Sequence, residues 1–582
     1  MKYSIYSLPV FSAIIAFAII CSACNKDDVI ELSVGMPEII LDCDNNTYSV
    51  KSGNTLTITP SFKNCENAEI SWVMDGNIVC SGTQWTHTWM LPEGSYFVTV
   101  TAKNAVGSSS ADIRINVVRL TPPDIYIPVP VSGFSTITGQ PLSITPTIYH
   151  SDLDGFDISW FVNDSLVGKL PAYTFCESSP GTYNIRIEAE NIDGTAQKTF
   201  CISVYDSMPL HIEFPTPSYC FDATTRYTFP NRPVLIRPII NTAAPVDYSW
   251  QINGTDANCS DPILRFMPAA PGEYTITLCA STADAYASAD VTVVCVDASE
   301  DSRMRIPSAS SSLFSNKTFD YTPAPGQFIG ESLLGDKSAA MISSPEEACT
   351  WAQNRLDNHK YVSLGAFGGY IVVGFDHSIP ASNLTYDFLI QGNPSDTGNE
   401  PGIVWVMQDV NGNGLPDDEW YQLKGSEYDN PSTSHFFSVT YFRPAPFNHV
   451  EWLDSNGSWG KISYLPQYHN QESYYPAWIN ADAYTLYGSL IRSANSFDSN
   501  TGFWNNKPYP WGYADNSGND ALSGDFLGYN GFKISNAIDI SGAPVKLAYI
   551  DFIKVQTAVM AESGALGEIS TEVLSFCQYS EQ

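Results

Sequence analysis

Basic residues are scarce in this chain. Its 582 residues include 28 Lys and Arg against 62 Asp and Glu, which gives a formal net charge of −34. A surface of that charge repels polyanions, so nucleic acid is excluded as a partner. Charged residues make up only 15% of the chain while hydrophobic residues reach 43%. The chain therefore has enough apolar material to build folded domains, and global disorder is excluded.

Long apolar runs are missing after the first residues. The stretch Val10–Ile20 is too short to span a membrane comfortably, and residues 1–23 are predicted to be a signal peptide. The small residues before Cys24 resemble the bacterial lipobox, in which this cysteine is acylated; the alternative is an ordinary signal peptide. Residues 24–35 would then form a lipidated tether. Its Asn25–Asp28 resembles the acidic export signal of Bacteroidetes lipoproteins, which predicts a lipid anchor in the outer membrane, facing the cell exterior.

Catalytic and zinc motifs are also missing. The 12 cysteines of the predicted mature chain are scattered, without a CxxC pair or a Cys/His cluster, and the sequence contains no GxSxG, HExxH or P-loop. The sequence therefore predicts a protein that is not an enzyme. A glycosidase stays open as an alternative, because Asp376 with Asp387, or Glu400 with Asp409, could supply an acid and a nucleophile. Chance pairs are expected among so many acids.

Three repeats occupy the first half, at residues 36–120, 121–206 and 207–296. In each, a strand ending in proline precedes a tryptophan, and an alternating strand that begins Gly-x-Tyr follows it; the tryptophans are Trp72, Trp160 and Trp250. Period-two alternation bounded by Gly and Pro predicts strands, and one buried Trp per repeat predicts an immunoglobulin-like sandwich. The Gly-x-Tyr pattern resembles PKD-type domains. We expect a spacer role, with adhesion through exposed loops as the alternative.

A different composition begins after the repeats. Residues 297–316 are polar and rich in Ser, which predicts a hinge, and residues 317–582 form one large domain. Its predicted helix is Pro345–Arg355, with Ser344 as the N-cap. Short strands dominate the rest. The whole chain is therefore predicted to be all-β, with three tandem Ig/PKD-like sandwiches followed by a jelly-roll-like β-sandwich with long loops.

The segment Asp409–Trp420 has the spacing of a cation-binding loop. Oxygen-bearing side chains alternate, and Gly stands at the sixth position, as in EF-hand loops. Trp420 replaces the bidentate Glu at the twelfth position, and a strand is predicted just before the loop. We therefore expect a structural Ca²⁺ on a strand loop, closed by Asp418 or Glu419, with a solvated Asn-Gly turn as the alternative. The predicted ligands are Asp409, Asn411, Asn413, the carbonyl of Leu415, and Asp417.

An aromatic and amide-rich tract supplies the candidate ligand contacts. Gly and Pro interrupt it, so its rings are predicted to lie on long loops, where rigid amphipathic side chains favour ligand binding. The alternative is that these rings pack beneath their own loops. The candidate contacts are Tyr474, Tyr475, Trp478, Trp504, Asn505, Tyr509, Trp511 and Tyr513.

Four segments of the C-terminal domain carry a resemblance to a known family: Gly368–Ile379, Glu400–Val406, Asp409–Glu427 and Ile550–Thr557. With PKD-like domains ahead of it, this block resembles BtuH-type surface lipoproteins of Bacteroidetes. The resemblance implies capture of cobalamin (vitamin B12) and related corrinoids as ligands rather than catalytic cofactors. It also implies transfer to a TonB-dependent transporter of the outer membrane, with other surface lipoproteins as further partners.

Corrinoid chemistry agrees with the composition of the tract. A corrinoid is a wide apolar plate with an amide rim, so aromatic faces would cover the plate and Asn, Ser and Tyr groups would pair with the amides. A glycan-binding lipoprotein of a polysaccharide-uptake system is the alternative. In that case Trp478, Trp504 or Trp511 would stack on sugar rings.

Overall fold

The structure is a computed structural model that describes residues 35–580 apart from 128, 131–132, 216–223, 243, 330–341, 468 and 470. The predicted signal peptide, Cys24 and nearly all of the predicted tether lie outside the described residues. The chain divides into two compact units. One runs to Pro122 and includes Ile192–Gly194, and the other comprises Pro123–Asn191 and Thr195–Gln582.

The first sandwich contains nine strands that begin and end at similar places in all three repeats. They are β1 Glu38–Ile40, β2 Thr47–Lys51, β3 Thr55–Ile58, β4 Ser61–Lys63, β5 Glu69–Met74, β6 Asn77–Ser81, β7 Trp85–Thr88, β8 Gly94–Lys103 and β9 Ser108–Val118.

The second and third sandwiches repeat this order. Their strands are β10 Asp124–Tyr126, β11 Phe134–Ile137, β12 Leu142–Ile144, β13 Thr147–Tyr149, β14 Asp157–Val162, β15 Ser165–Gly168, β16 Tyr173–Phe175, β17 Gly181–Asn191, β18 Gly194–Tyr205, β19 Ile212–Glu213, β20 Thr225–Thr228, β21 Val234–Ile236, β22 Ile239–Ile240, β23 Asp247–Ile252, β24 Thr255–Asp256, β25 Leu264–Phe266, β26 Gly272–Ser281 and β27 Tyr286–Cys295.

All three repeats have the same sheet topology. A five-stranded sheet runs β2-β9-β8-β5-β6 in the first, β11-β18-β17-β14-β15 in the second and β20-β27-β26-β23-β24 in the third. Strand β2 lies parallel to β9, β11 to β18 and β20 to β27, so each sheet begins with one parallel pair. Two-stranded pairs complete each repeat. The prediction of immunoglobulin-like sandwiches is confirmed.

One tryptophan anchors each sandwich core, as the repeats predicted. Trp72, Trp160 and Trp250 have no exposed surface. Each indole N–H donates at 2.9 Å to a backbone oxygen ten or eleven residues later. A tyrosine on the late strand of each repeat donates its hydroxyl to a backbone oxygen four residues earlier, at 2.9 to 3.0 Å. This tyrosine corner is typical of immunoglobulin-like sandwiches.

The C-terminal domain contains the remaining strands: β28 Lys317–Thr322, β29 Val362–Ser363, β30 Tyr370–Pro380, β31 Phe388–Gln391, β32 Gly402–Met407, β33 Trp420–Leu423, β34 Ser434–Phe442, β35 Val450–Asp454, β36 Trp459–Ile462, β37 Ala483–Leu490, β38 Asn495–Asp498, β39 Phe503–Asn506, β40 Tyr513–Ala514, β41 Tyr529–Phe532, β42 Ala537–Ile538, β43 Tyr549–Thr557, β44 Glu572–Val573 and β45 Ser575–Gln578.

Three sheets share the core of the C-terminal domain. A seven-stranded sheet contains β28, β30, β43, β32, β33 and β42 in that order, with β40 paired to β32. A three-stranded sheet runs β41-β31-β45, and a four-stranded sheet runs β36-β35-β34-β37. One apolar cluster contains Val404, Phe388 and Tyr441, which come from the three sheets in turn. The predicted all-β class is confirmed.

Helices are few in the described part of the chain. Helix α1 spans Glu300–Arg303, and α2 spans Pro345–Asp357, where the Ser344 side chain caps the Glu347 N–H as predicted. Short 3₁₀ segments occur at Asp44–Asn46, Gly524–Phe526, Ile534–Asn536 and Gly564–Leu566. No helix among the described residues has the length and apolar character needed to cross a membrane.

The Ser-rich segment after the third sandwich is not a free hinge. One carboxylate oxygen of Glu300 accepts hydrogen bonds from the Gln408 side chain at 2.7 Å and the Ala548 backbone at 2.8 Å, and it pairs with Arg232 at 2.9 Å. Arg305 pairs with the buried Asp551 at 3.0 Å. The polar, Ser-rich composition predicted a hinge. Composition does not show that Glu300 and Arg305 have partners far along the chain, which hold the segment in place.

Candidate functional site

The structure separates the eight predicted ligand contacts into two groups. Tyr474, Tyr475, Trp478, Tyr509 and Tyr513 are buried. The hydroxyl of Tyr474 donates to the His469 carbonyl, that of Tyr475 to the Ala481 carbonyl and that of Tyr509 to the Arg492 carbonyl, each at 2.8 Å. The Trp478 indole donates to the Tyr321 carbonyl at 3.3 Å, and the Tyr513 hydroxyl accepts the Glu427 N–H at 3.0 Å.

These five rings are core residues in this structure, which corrects their prediction as ligand contacts. The physical reason is that long loops contain few strand hydrogen bonds, so large rings beneath them replace the missing apolar contacts. Their polar atoms also satisfy backbone groups that the loops leave without partners. For these five rings the alternative interpretation, packing beneath their own loops, is the one that holds.

Trp504, Asn505 and Trp511 form the second group, because each retains some exposed surface. Trp504 and Asn505 lie on the hairpin of β38 and β39, which we name the ring hairpin (Asn495–Asn506). Its register places Phe497 opposite Trp504, with ring centroids 5.5 Å apart. Phe497 is 55% exposed and Phe503 is 72% exposed. One face of the hairpin therefore presents the Phe497 and Trp504 rings, and the opposite face presents Phe503.

Sequence reasoning missed Phe497 as a candidate contact. The available signal was the spacing of Phe497 and Trp504 on either side of an Asp-Ser-Asn-Thr-Gly turn, which pairs the two rings across a hairpin. The backbone at Gly564 also packs closely against the Trp504 indole and holds it in place. A Cβ on Gly564 would lie only 2.7 Å from the Trp504 indole nitrogen.

The base of the ring hairpin is rich in asparagine. Asn495 donates its amide to the Glu562 carbonyl at 2.9 Å and to the Ser563 hydroxyl at 3.2 Å, which anchors the first strand. The side-chain oxygens of Asn495, Asn505 and Asn506 are buried without a hydrogen-bond partner among the described residues. Buried acceptors of this kind require an ordered water or a ligand N–H.

The predicted cation loop connects β32 and β33, so strands rather than helices flank it, as expected. Asp409 accepts the N–H groups of Gly412 at 2.8 Å and Gly414 at 2.9 Å. The amides of Asn411 and Asn413 donate to Asp417 at 3.0 and 2.8 Å. Rotating these two amides would turn their oxygens toward Asp417. Asp409, Asn411, Asn413 and Asp417 are thus connected by hydrogen bonds within one loop, and oxygen-bearing side chains of this kind are the ligands that Ca²⁺ prefers.

Asp418 and Glu419 were the two candidates to complete the coordination of the cation. Glu419 pairs with Arg226 of the third sandwich at 3.2 Å. Asp418 is buried and accepts the Val410 N–H through Oδ2 at 2.8 Å, while Oδ1 has no partner among the described residues. Burial, followed by the negative charges of Asp417 and Asp409, raises the pKa of Asp418 well above its usual range. Asp418 is therefore the better candidate.

A second acidic group contains Glu400, Asp515 and Glu572. One ligand atom from each lies within 4.8 Å of the others. Burial raises the pKa of all three carboxyl groups, with the neighbouring charges adding to the effect for Asp515 and Glu572. The group could hold a cation or share protons. Glu400 precedes strand β32 and Asp409 follows it, so the two acids of this suggested glycosidase pair lie at opposite ends of the strand.

The other suggested acid pair consists of carboxylates with structural partners. Asp376 bonds His377 at 2.7 Å, and His377 bonds Gln578 at 2.7 Å through its other nitrogen. Asp387 pairs with Lys533 at 2.8 Å and also accepts the Ile534 N–H at 2.8 Å. Both acids stabilise local structure.

A cleft lies where the third sandwich meets the C-terminal domain, with a cavity volume of about 140 Å³. Its walls include Arg226 and Arg237 from the sandwich and Trp405, Trp420 and Phe436 from the domain. The Arg237 guanidinium lies 3.6 Å from the centre of the Phe436 ring. Arg226 is paired with Glu419, which also lines the cleft, so the Arg237 guanidinium beside aromatic rings is what suits the cleft to a small anionic or aromatic group.

Comparison with known proteins agrees with the sandwich architecture. A family model described as a PKD-like domain matches residues 36–104 and 122–191. The first two sandwiches are therefore similar to PKD-like domains, and the third shares their topology. No curated protein matches the chain.

Solved structures similar to this chain include multi-domain immunoglobulin-like proteins. The titin I-band fragment I67–I69 is 14% identical over 45% of this chain and 98% of its own, with a TM-score of 0.20. Three N-terminal domains of the bacteriophage RB49 Hoc capsid protein are 12% identical over 45% of this chain and 100% of their own, with a TM-score of 0.22. Fibronectin(III)-like modules of Clostridium thermocellum CbhA are 16% identical over 29% of this chain and 94% of their own, with a TM-score of 0.17.

Proposed function

We propose that this protein is a lipid-anchored cell-surface protein that captures a corrinoid on its ring hairpin and passes it to an outer-membrane transporter. The anchor would be Cys24, and the transporter would be of the TonB-dependent class. The resemblance of the C-terminal segments to BtuH-type lipoproteins supports the ligand class. The ring hairpin supports the location of the site.

One observation carries the proposal: the exposed Phe497 lies beside Trp504 on one face of the hairpin. Exposed aromatic side chains that cluster at one place mark interaction sites, because leaving them in water costs free energy that a partner recovers. A flat ligand gains most from such a surface because it covers several rings at once. A corrin macrocycle has this shape.

The amides of the hairpin fit the rim of the same ligand. Asn495 faces Asn506 across the hairpin, on the same face as Phe497 and Trp504. Corrinoid acetamide and propionamide arms carry N–H donors, which the partnerless asparagine oxygens would accept after a small side-chain rotation. No reacting group is needed for capture. The proposed protein therefore binds its ligand without transforming it.

Co-elution of cyanocobalamin tests the proposal. The mature full-length chain is mixed with cyanocobalamin and gel-filtered, and absorbance of the corrin is followed across the protein peak. We expect coloured protein, and we expect Phe497→Ala and Trp504→Ala each to weaken retention at least tenfold. Tyr286→Ala is the control, since this exposed ring lies in the third sandwich.

The outcomes separate the ligand from the site. A colourless wild-type peak would reject corrinoid capture. If the wild type is coloured and both hairpin variants retain cyanocobalamin equally well, corrinoid capture stands but the ring hairpin is not the binding site.

Glycan binding is the second candidate, and exposed indoles favour it. Trp459 is 46% exposed and Trp511 is 39% exposed. Indoles of this kind stack on sugar rings. Affinity electrophoresis in polysaccharide gels tests this candidate. Retardation that Trp459→Ala or Trp511→Ala abolishes would support it, and free migration of the wild type would reject it.

A further inference from the structure

The loop Gln408–Glu419 is packed between parts of the molecule that are distant in sequence. Val410 lies in an apolar cluster with Phe229 and Val296 of the third sandwich. Glu419, at the other end of the loop, pairs with Arg226, and both side chains are largely buried. We name this contact region the joint. The loop is therefore part of the packing between the third sandwich and the C-terminal domain.

The linker meets the same loop. The guanidinium of Arg303 packs against Gly412. A Cβ atom on residue 412 would clash with this guanidinium. Gly412 has a φ of 77°, which a glycine adopts without strain. Two residues further along the linker, Arg305 bonds Asp551, and Asp551 accepts the Asp409 N–H at 2.8 Å. Loop, linker and third sandwich are thus connected through adjacent residues.

The charges at the joint are not balanced. Four carboxylates, of Asp409, Asp417, Asp418 and Glu419, lie in the loop, and two guanidinium groups, of Arg226 and Arg303, meet it. Two negative charges remain for a divalent cation to neutralise. Placing such charges together in partly buried surroundings is costly unless a cation or protons compensate them.

A buried oxygen gives independent support for a ligand at this place. Asp418 is 6% exposed, and its Oδ1 has no partner in the described part of the chain. Its Oδ2 is held by the Val410 N–H, so the carboxylate faces the start of the loop. An ionised carboxylate in this position needs a cation or a donor to offset the loss of hydration.

We propose that this loop binds a divalent cation and that the bound cation locks the joint between the third sandwich and the C-terminal domain. Because the ligands are all oxygen atoms, the cation is Ca²⁺. The ligands are Asp409, Asn411, Asn413, the carbonyl of Leu415, Asp417 and Asp418. The proposal goes beyond ligand capture and does not depend on it.

The lock follows from how the loop is held. Cation binding orders Asp417 and Asp418 next to Glu419, and Glu419 holds Arg226 of the third sandwich. It also orders Val410 and Gly412, which contact the third sandwich and Arg303. Without the cation, repulsion among the carboxylates loosens the same contacts. Cation binding and closure of the joint are therefore coupled and reciprocal.

Trypsin cleavage after Arg303 reports on the joint. The mature full-length chain is digested in Ca²⁺ or in EDTA, the fragments are weighed by mass spectrometry, and Ca²⁺ binding is measured by calorimetry on the same protein. We expect one Ca²⁺ per chain, a higher Tm, and cleavage after Arg303 at least tenfold slower in Ca²⁺. Magnesium alone is expected to protect less, because it resists losing its water shell.

Two loop variants and one control complete the experiment. Asp418→Asn and the more exposed Asp417→Asn should lose both binding and protection, and Asp417→Asn serves if the buried variant does not fold. Asp482→Asn, at a fully exposed position, should behave as wild type. Absence of Ca²⁺ binding to the wild type would overturn the site. Binding without slower cleavage, or protection that survives in both variants, would overturn the lock.

Discussion

The indole of Trp478 donates its N–H to the backbone oxygen of Tyr321, and the two rings lie 5.5 Å apart. Tyr321 in turn stacks on Trp351 of helix α2, with ring centroids 5.8 Å apart. Trp478 therefore connects a long loop to the first strand and the helix of the C-terminal domain. Trp478, which the sequence predicted as a ligand contact, is instead part of the core.

Trp478→Ala should destabilise the C-terminal domain by about 3–5 kcal/mol, because it leaves a cavity the size of an indole. Trp511→Ala, which removes a partly exposed indole from the same tract, should cost less than about 1 kcal/mol. Urea unfolding followed by near-ultraviolet circular dichroism measures both. Equal losses for the two variants would contradict the core assignment of Trp478.

Tyr183→Phe should weaken the second sandwich by about 1 kcal/mol, because the Ser179 carbonyl loses its 3.0 Å hydrogen bond from the hydroxyl. Local opening would then be about fivefold more frequent. Hydrogen exchange of the amides in Gly181–Asn191, followed by mass spectrometry, measures this change. Tyr205→Phe, at the exposed end of β18, is the control. Exchange that does not accelerate would show that the tyrosine corner contributes no stability here.

Glu568 should make stability decline as pH rises. Burial raises the pKa of Glu568 to about 8, and the charges of Glu562 and Glu400 add to this effect. A glutamate in the unfolded chain titrates near ~4.3. The folded state therefore binds the proton more tightly, so the stabilisation is complete below the unfolded value and is lost as pH rises toward 8.

Glu568→Gln should remove this decline, because glutamine keeps the shape and cannot ionise. The difference in unfolding free energy between variant and wild type should grow by at most about 1.4 kcal/mol per pH unit between pH 5 and 8. Urea unfolding at pH 5, 6.5 and 8 measures it. A difference that stays constant with pH would mean that Glu568 does not titrate in this window.

The Arg226–Glu419 pair should couple the third sandwich to the C-terminal domain. Their atoms lie 3.2 Å apart and both side chains are largely buried. Hydrogen bonds between charged groups contribute about 1.5–3 kcal/mol, so Arg226→Met and Glu419→Gln should show an interaction energy of this order. A double-mutant cycle from urea unfolding gives the value. Additive effects of the two changes would show that the pair does not hold the joint.

Local patterns in the sequence determined the architecture. The spacing of Trp72, Trp160 and Trp250, with Gly-x-Tyr strands after them, predicted three sandwiches, because alternation and turn residues act over a few neighbours. The same holds for the Ser344 cap, for strands β30, β32 and β43, and for the position of the cation loop between strands. Each of these features depends on residues within a few positions of one another.

Tertiary structure decided which rings face water. Trp478 and Trp504 occupy similar aromatic, amide-rich surroundings in the sequence, yet one lies against Tyr321 and the other on a hairpin beside the exposed Phe503. Partners distant along the chain also brought Glu400 to Asp515 and Glu572, Arg226 to Glu419, and Arg303 to Gly412. Burial and charge pairing depend on the sum of such long-range contacts, and no local pattern records them.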